Sequence, residues 1–143
     1  MDKVELWDSR FLELASLISS WSKDPSTKVG AVIVDDKKRI VSVGYNGFAH
    51  DTTDNPDLYN NREEKYKRII HGEINAILFA SRQLDGCTLY TVPFMPCPRC
   101  SSIIIQVGIK RVISYKTNND RWSDDFKISR ELFKEANIEL KEY

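Results

Sequence analysis

Two short segments hold residue types and spacings suited to chemistry: His71-Gly72-Glu73 and Pro96-Cys97-Pro98-Arg99-Cys100. Pro98 fits the first position of a helix, which makes Cys97 its cap and places the Cys97 and Cys100 thiols, at i and i+3, on one face. The exposed N–H groups and dipole of a helix start favour anions, so both sulfurs are drawn toward the thiolates that zinc binds. His71 supplies a neutral nitrogen as third ligand. Three protein ligands leave one tetrahedral position for water, the pattern of a catalytic rather than a closed structural site. Zinc in such a site lowers the pKa of water toward ~7, which implies hydrolysis or hydration. His71 and Glu73 diverge by roughly 200° around a helix unless the site caps the helix end. Glu73 is therefore expected not as a ligand but as the carboxylate that takes a proton from water and passes it to a leaving amine.

Blander readings compete with each half of this set. A Cys-x-x-Cys alone is as often a redox or structural pair, and a lone His-x-Glu is usually a solvated helix start. Their order, each opening a helix after a loop or strand, favours the catalytic reading. A closed zinc site would need Cys87 or His50, and Cys87 begins an expected core strand, where a cysteine is plain packing.

The elements that must position these residues follow from hydrophobic period. Leu6, Trp7, Phe11, Leu14, Leu17, Ile18 and Trp21 form one helical stripe over 4–21. Asp24-Pro25-Ser26 ends it, and Val29 to Val34, a turn at Asp35-Asp36-Lys37-Lys38, and Ile40 to Val43 form a hairpin. Gly44-Tyr45-Asn46-Gly47 closes the second strand. Residues 48–70 are polar and charged without a sustained period, an ordered functional loop with a short helix near its end. A helix from His71 through Leu84 stops at Asp85-Gly86 before a strand, Cys87 to Val92. The second helix of the site continues to Val107 and ends at Gly108. A strand Arg111 to Tyr115, a helix Asp124 to Ala136 and a strand Ile138 to Lys141 complete the chain. Strands alternating with helices after a hairpin predict a three-layer α/β/α sandwich with a mixed five-stranded sheet, one domain over 1–143. Ile103-Ile104-Ile105 is too apolar for one buried stripe. An intersubunit surface and an all-round buried helix explain it equally.

Composition narrows the function. The chain has 143 residues, 41% hydrophobic, with 21 Lys+Arg against 21 Asp+Glu. That length buries a core without disulfide staples, and three cysteines suit a metal site in a reducing compartment, so the cytoplasm is expected. The longest aliphatic run, Ala31 to Val34, is far short of the roughly 20 residues a membrane span needs. Met1-Asp2-Lys3-Val4-Glu5 lacks the basic flank and apolar stretch of a signal peptide. Neutral charge also argues against a nucleic-acid partner, which needs a basic footprint.

His-x-Glu followed by Pro-Cys-x-x-Cys is the signature of zinc-dependent nucleobase deaminases. Beyond it, Ser22-Lys23-Asp24-Pro25, Val29-Gly30-Ala31, Gly44-Tyr45-Asn46-Gly47, His71 to Ile77 and Ile104 to Lys110 make the chain resemble the deoxycytidylate (dCMP) deaminases over roughly residues 10–140. Gly72 stands where that family usually has Ala, and Phe48-Ala49 replaces its usual Met-Pro or Phe-Pro. Neither change removes a catalytic atom. Residues 48–70 hold no Cys and only His50, so the second, structural zinc of some relatives is not expected.

The resemblance implies a cytidine deaminase-like fold and hydrolytic loss of ammonia from C4 of dCMP. It implies zinc on His71, Cys97 and Cys100, proton transfer by Glu73, the Gly72 backbone at the base and Asn46 at the sugar. By itself, Asn46-Gly47 reads as a turn. Arg121, in the loop after the strand ending at Tyr115, is the favoured contact for the 5′-phosphate, with Ser26 and Lys23 behind it. The resemblance further implies an effector site at Gly44, Tyr45, Asn46 and Gly47 for dCTP (activator) and dTTP (inhibitor) with Mg²⁺, and a homo-oligomer, with a hexamer favoured. A nucleoside or tRNA deaminase of the same fold, and a non-catalytic zinc-bound nucleotide sensor, are the alternatives.

Overall fold

The computed structural model describes residues 1–118 and 120–143; Asn119, two positions before Arg121 in sequence, lies outside them. The first helix, α1 (Lys3–Ser19), starts on a capping box. The Asp2 carboxylate accepts the Glu5 N–H at 2.8 Å and Glu5 reaches back to the Asp2 N–H, satisfying two of the donors a helix start exposes. Then come β1 (Gly30–Val34), β2 (Ile40–Tyr45), the two-residue β3 (Gly47–Phe48), α2 (Pro56–Asn60), α3 (Arg62–Arg68), the two-residue β4 (Ile69–Ile70) and α4 (Gly72–Phe79). After these follow β5 (Thr88–Val92), α5 (Pro98–Gln106), β6 (Arg111–Ser114), a 3-10 turn at Asp120–Trp122, α6 (Ser123–Glu135) and β7 (Glu139–Glu142).

Five strands form one sheet in the order β2-β1-β5-β6-β7, antiparallel across β2-β1-β5 and parallel across β5-β6-β7. Strand alternation divides the core between its two faces. Val32, Val34, Tyr90, Val92 and Ile113 pack under Phe11, Leu12, Ala15 and Ile18 of α1. Ala31, Ile33, Leu89 and Val112 pack against Ala76 of α4, Cys100 and Ile104 of α5, and Phe133 of α6. The result is the expected mixed five-stranded sheet between two helical layers.

Most boundaries shift by a residue or two, and three differences bear on the site. β2 runs on through Tyr45, because Gly44 and Tyr45 still pair with Ala31 and Gly30. α4 stops at Phe79 rather than Leu84: Leu84 is buried in a turn, where its carbonyl accepts the Cys87 N–H at 3.0 Å. The spacing of Ile77 and Leu84 thus mimics a helical period that the chain meets by doubling back. Residues 48–70 carry two helices rather than one. Asn55 caps α2 and Asn61 caps α3 with their side chains. β3 and β4 pair antiparallel beneath them, and Phe48 stacks on Tyr59 with ring centroids 4.2 Å apart. This small sheet delivers Ile70 and therefore His71 to the cavity wall.

Candidate active site

The two site helices start side by side. His71 is the N-cap of α4, but its ring makes no capping bond and turns instead to the start of α5. Its Nδ1 lies 3.1 Å from Cys100 Sγ and 3.6 Å from Cys97 Sγ. Cys97 caps α5, its sulfur accepting the Cys100 N–H at 3.5 Å, with Pro98 at the first position as its sequence position required. The three ligand atoms all lie within 4.8 Å of one another. Hydrogen bonds from Cys100 and then His71 draw the Cys97 thiol down to about 4, while the bond to Cys97 and burial push the Cys100 thiol up. A dication held by both sulfurs would favour their thiolate forms.

Glu73, two residues into the same start, is 4% exposed, and its Oε1 has no hydrogen-bond partner among the described residues. Burial pushes its carboxyl above the usual carboxylate range against the pull of the His71 charge. An unpartnered buried carboxylate oxygen costs on the order of 1–3 kcal/mol, and such groups persist where chemistry needs them. The donor set fits zinc: two sulfurs and one imidazole nitrogen, with ~2.3 and ~2.1 Å bonds, subtend about 3.6 Å at a tetrahedral ion.

His71, Glu73, Cys97 and Cys100 line a cavity of about 820 Å³, within the range of small-molecule sites. Asn46, Ser26 and Arg121 also line it. Asn46 is buried: its Oδ1 accepts the Val29 N–H at 2.8 Å, and its Nδ2 donates to the Thr27 carbonyl at 2.9 Å and to Asp24 at 3.3 Å. Arg121 stands in the 3-10 turn at the exposed rim, its guanidinium 4.9 Å from the Trp122 ring centre. Gly72 is buried behind the wall, where a Cβ would meet Val29 at 3.1 Å and Tyr45 Cα at 3.3 Å. Lys23 is not brought to the cavity: its ammonium is spent on Asp54, beside a separate shallow hollow.

Of the segment expected to hold effectors, Gly44 is closed off, since a Cβ there would lie 2.4 Å from Ala76 N and 2.6 Å from the Gly72 carbonyl oxygen. It is the contact where α4 lies on β2. Tyr45 is 42% exposed and meets Trp21 edge to face, and Gly47 has open space on its Cβ side. Cys87 lies in the core, while the His50 ring is exposed beside Asp51.

Sequence reasoning missed Lys65, buried and paired with Asp24 in the cavity wall, and Tyr66 and Arg62 at its rim. A signal existed. In α3 the pairs Glu63–Lys67 and Glu64–Arg68 close at i,i+4, which leaves Arg62 and Lys65 without an acid on their own helix.

A mixed sheet that sets two helix starts together, with two thiols, an imidazole and a buried carboxylate, defines a zinc-dependent hydrolase. The cytidine and deoxycytidylate deaminase zinc-binding region matches residues 5–116, and the chain belongs to that family. An uncharacterized deaminase from the luxG 3′ region of Aliivibrio fischeri is 45% identical over 140 residues, covering 96% of this chain and 93% of that one. Mouse deoxycytidylate deaminase is 37% identical over 145 residues, covering 96% and 79%. The crystal structure of a dCMP deaminase from the cyanophage S-TIM5 in apo form superposes with a TM-score of 0.74 at 25% identity, over 100% of both chains.

Proposed function

We propose that this enzyme hydrolyses dCMP to dUMP and ammonia, supplying dUMP for dTMP synthesis in the cytoplasm. The observation that carries the reaction type is Glu73, whose buried Oε1 has no hydrogen-bond partner among the described residues, on the cavity wall with His71, Cys97 and Cys100. Relatives that are deoxycytidylate deaminases along nearly the whole chain favour the substrate. Bound at His71, Cys97 and Cys100, zinc supplies the Lewis acidity that makes water a nucleophile at neutral pH.

The chain's own residues do the rest. Glu73 accepts the proton of the attacking water and delivers it to the C4 amine, which leaves as ammonia. Its raised pKa suits a group that must hold a proton in mid-reaction. Asn46 orients the sugar: both Nδ2 protons are committed to Thr27 and Asp24, so its Oδ1 retains one lone pair for a hydroxyl. Arg121 at the rim takes the 5′-phosphate, with Ser26 on the same wall.

We also propose regulation by dCTP (activator) and dTTP (inhibitor) with Mg²⁺ at Tyr45, Asn46 and Gly47, in a homohexamer. Its support is the continuity of Tyr45, on the surface, with Asn46, in the cavity. Ammonia release from dCMP, deoxycytidine and adenosine-containing tRNA tests the substrate. Turnover of deoxycytidine or tRNA in preference to dCMP overturns it.

A further inference from the structure

Helix α6 buries three residues at helical spacing, Phe126, Ser129 and Phe133. Packing accounts for the two aromatics: Phe126 lines the cavity and leans on Phe94 with ring centroids 5.4 Å apart, and Phe133 belongs to the core with Cys100 and Ile104. Packing does not account for Ser129. It is fully buried, at a position where alanine would be the better helix former and would bring no polar atom. A buried hydroxyl needs a partner, and inside a helix the ready one is the carbonyl a turn back on the same helix. Ser129 Oγ instead donates across to the Pro96 carbonyl oxygen at 2.8 Å.

Pro96 is buried and immediately precedes Cys97. A second hydroxyl, Ser101 Oγ, lies 3.4 Å from the same oxygen but 2.8 Å from the Cys97 carbonyl oxygen. A hydroxyl has one proton to give, and the shorter contact takes it. The Pro96 carbonyl is thus left to Ser129, while the Cys97 carbonyl is met from α5 by the Ser101 hydroxyl and by the Ser101 N–H at 2.9 Å. Each carbonyl belongs to a planar peptide unit, so the peptides on the two sides of Cys97 are held from two different helices. Together they set the Cys97 backbone at φ −66° and ψ 166°, and with it the direction from which Sγ comes to lie 3.6 Å from His71 Nδ1. The hold from α5 belongs to the helix that Cys97 itself caps. The hold from α6 comes from outside it.

We infer that Ser129 is a positioning residue for Cys97: through the Pro96 carbonyl, its hydroxyl fixes the peptide before Cys97 and so presents Sγ to the metal. α6 then carries on one face a wall of the cavity, Phe126, and one turn later the grip on a metal ligand. This rests on the zinc site described above and on no choice of substrate.

Zinc-loaded wild type, Ser129→Ala and Leu12→Val are each titrated with a chelator of known zinc affinity, and urea midpoints are measured on the same preparations. Leu12 is buried under α1 on the opposite face of the sheet, so Leu12→Val lowers stability without touching the Pro96 carbonyl. Ser129→Ala weakens zinc binding roughly tenfold, the low end of what is lost when the support of a metal ligand is removed. Leu12→Val lowers the urea midpoint yet binds zinc within about twofold of wild type, as expected for a distant site. With Co²⁺ in place of zinc, the visible absorption bands of Ser129→Ala shift and those of Leu12→Val superimpose on wild type. Wild-type zinc affinity and cobalt bands in Ser129→Ala overturn the positioning role, and so does a loss of affinity that Leu12→Val matches at equal loss of stability. A wild-type protein that takes up no zinc overturns the metal site and the positioning role together. A protein that binds zinc, loses it on Ser129→Ala and fails to deaminate dCMP overturns the proposed substrate and leaves the role of Ser129 standing.

Discussion

Lys65 Nζ pairs with the Asp24 carboxylate at 3.2 Å, with side chains 9% and 4% exposed. The same carboxylate accepts the Ser26 N–H at 2.9 Å and Asn46 Nδ2 at 3.3 Å. One buried ion pair thus ties α3 to the loop that holds Ser26 and to Asn46. Removing one partner of such a pair leaves an uncompensated buried ion, at a cost of about 3–5 kcal/mol. Lys65→Met should therefore lower the urea midpoint strongly, and adding Asp24→Asn should recover much of the loss. A Lys65→Met protein with less than about 1 kcal/mol of destabilisation would show the pair to be idle.

Cys97→Ser and Cys100→Ser should each lose zinc, because a hydroxyl does not replace a thiolate in the ligand set. Elemental analysis of purified wild-type protein should find one zinc per chain, with activity falling in proportion as a chelator removes it. Full metal occupancy in either variant would remove that sulfur from the ligand set.

Glu73→Gln keeps shape and size but cannot carry a proton. Zinc content should be unchanged while kcat falls by at least about a hundredfold, the range of general acid–base contributions. Near wild-type turnover would take the proton shuttle away from Glu73.

Asp8, on α1, is 1% exposed and accepts the Tyr90 and Tyr143 hydroxyls at 2.7 Å each and the Arg111 guanidinium at 3.1 and 3.3 Å. Burial alone would raise its carboxyl, but Arg111 and the two tyrosines together hold it below its ordinary value of 3.8. A carboxyl depressed in the folded state stabilises above its unfolded pKa, and that stability is lost as pH falls through the folded pKa. Wild-type protein should thus exceed Asp8→Asn in unfolding free energy at neutral pH, and the gap should close as pH falls below 3.8. A gap independent of pH would mean that Asp8 acts by shape alone.

The zinc ligands and the sheet were legible in sequence because their determinants are local. Pro98 after Cys97 marks a helix start whatever surrounds it, and alternation or burial of four to six apolar residues marks a strand. The segment 48–70 was opaque because its order comes from distant partners. Phe48 finds Tyr59, Lys65 finds Asp24, and Tyr66 finds Arg121 across 55 residues. Leu84 shows the converse failure, a residue in helical register whose burial is met by a turn. Gly44 is ambiguous in sequence, since a glycine at a strand end suits both a close-approaching ligand and close packing, and only the position of α4 brings out the packing.

Gly44 and Gly47 carry opposite expectations although they are three residues apart. A Cβ at Gly44 would lie 2.4 and 2.6 Å from backbone atoms of Ala76 and Gly72, whereas at Gly47 it would meet nothing within 4 Å. Backbone cannot rotate aside as a side chain does, so Gly44→Ala must lift α4 from β2, an overpacking cost of about 1–3 kcal/mol. His71 and Glu73 ride on the lifted end. Gly44→Ala should therefore lower both the melting temperature and zinc affinity, with loss of turnover following loss of metal. Gly47→Ala should hold stability within about 0.5 kcal/mol, so any altered response to dCTP or dTTP in that variant would report on the effector site rather than on the fold. Wild-type melting temperature and zinc content in Gly44→Ala would refute the packing role of that glycine, and unchanged effector responses in Gly47→Ala would remove Gly47 from the proposed regulatory contact.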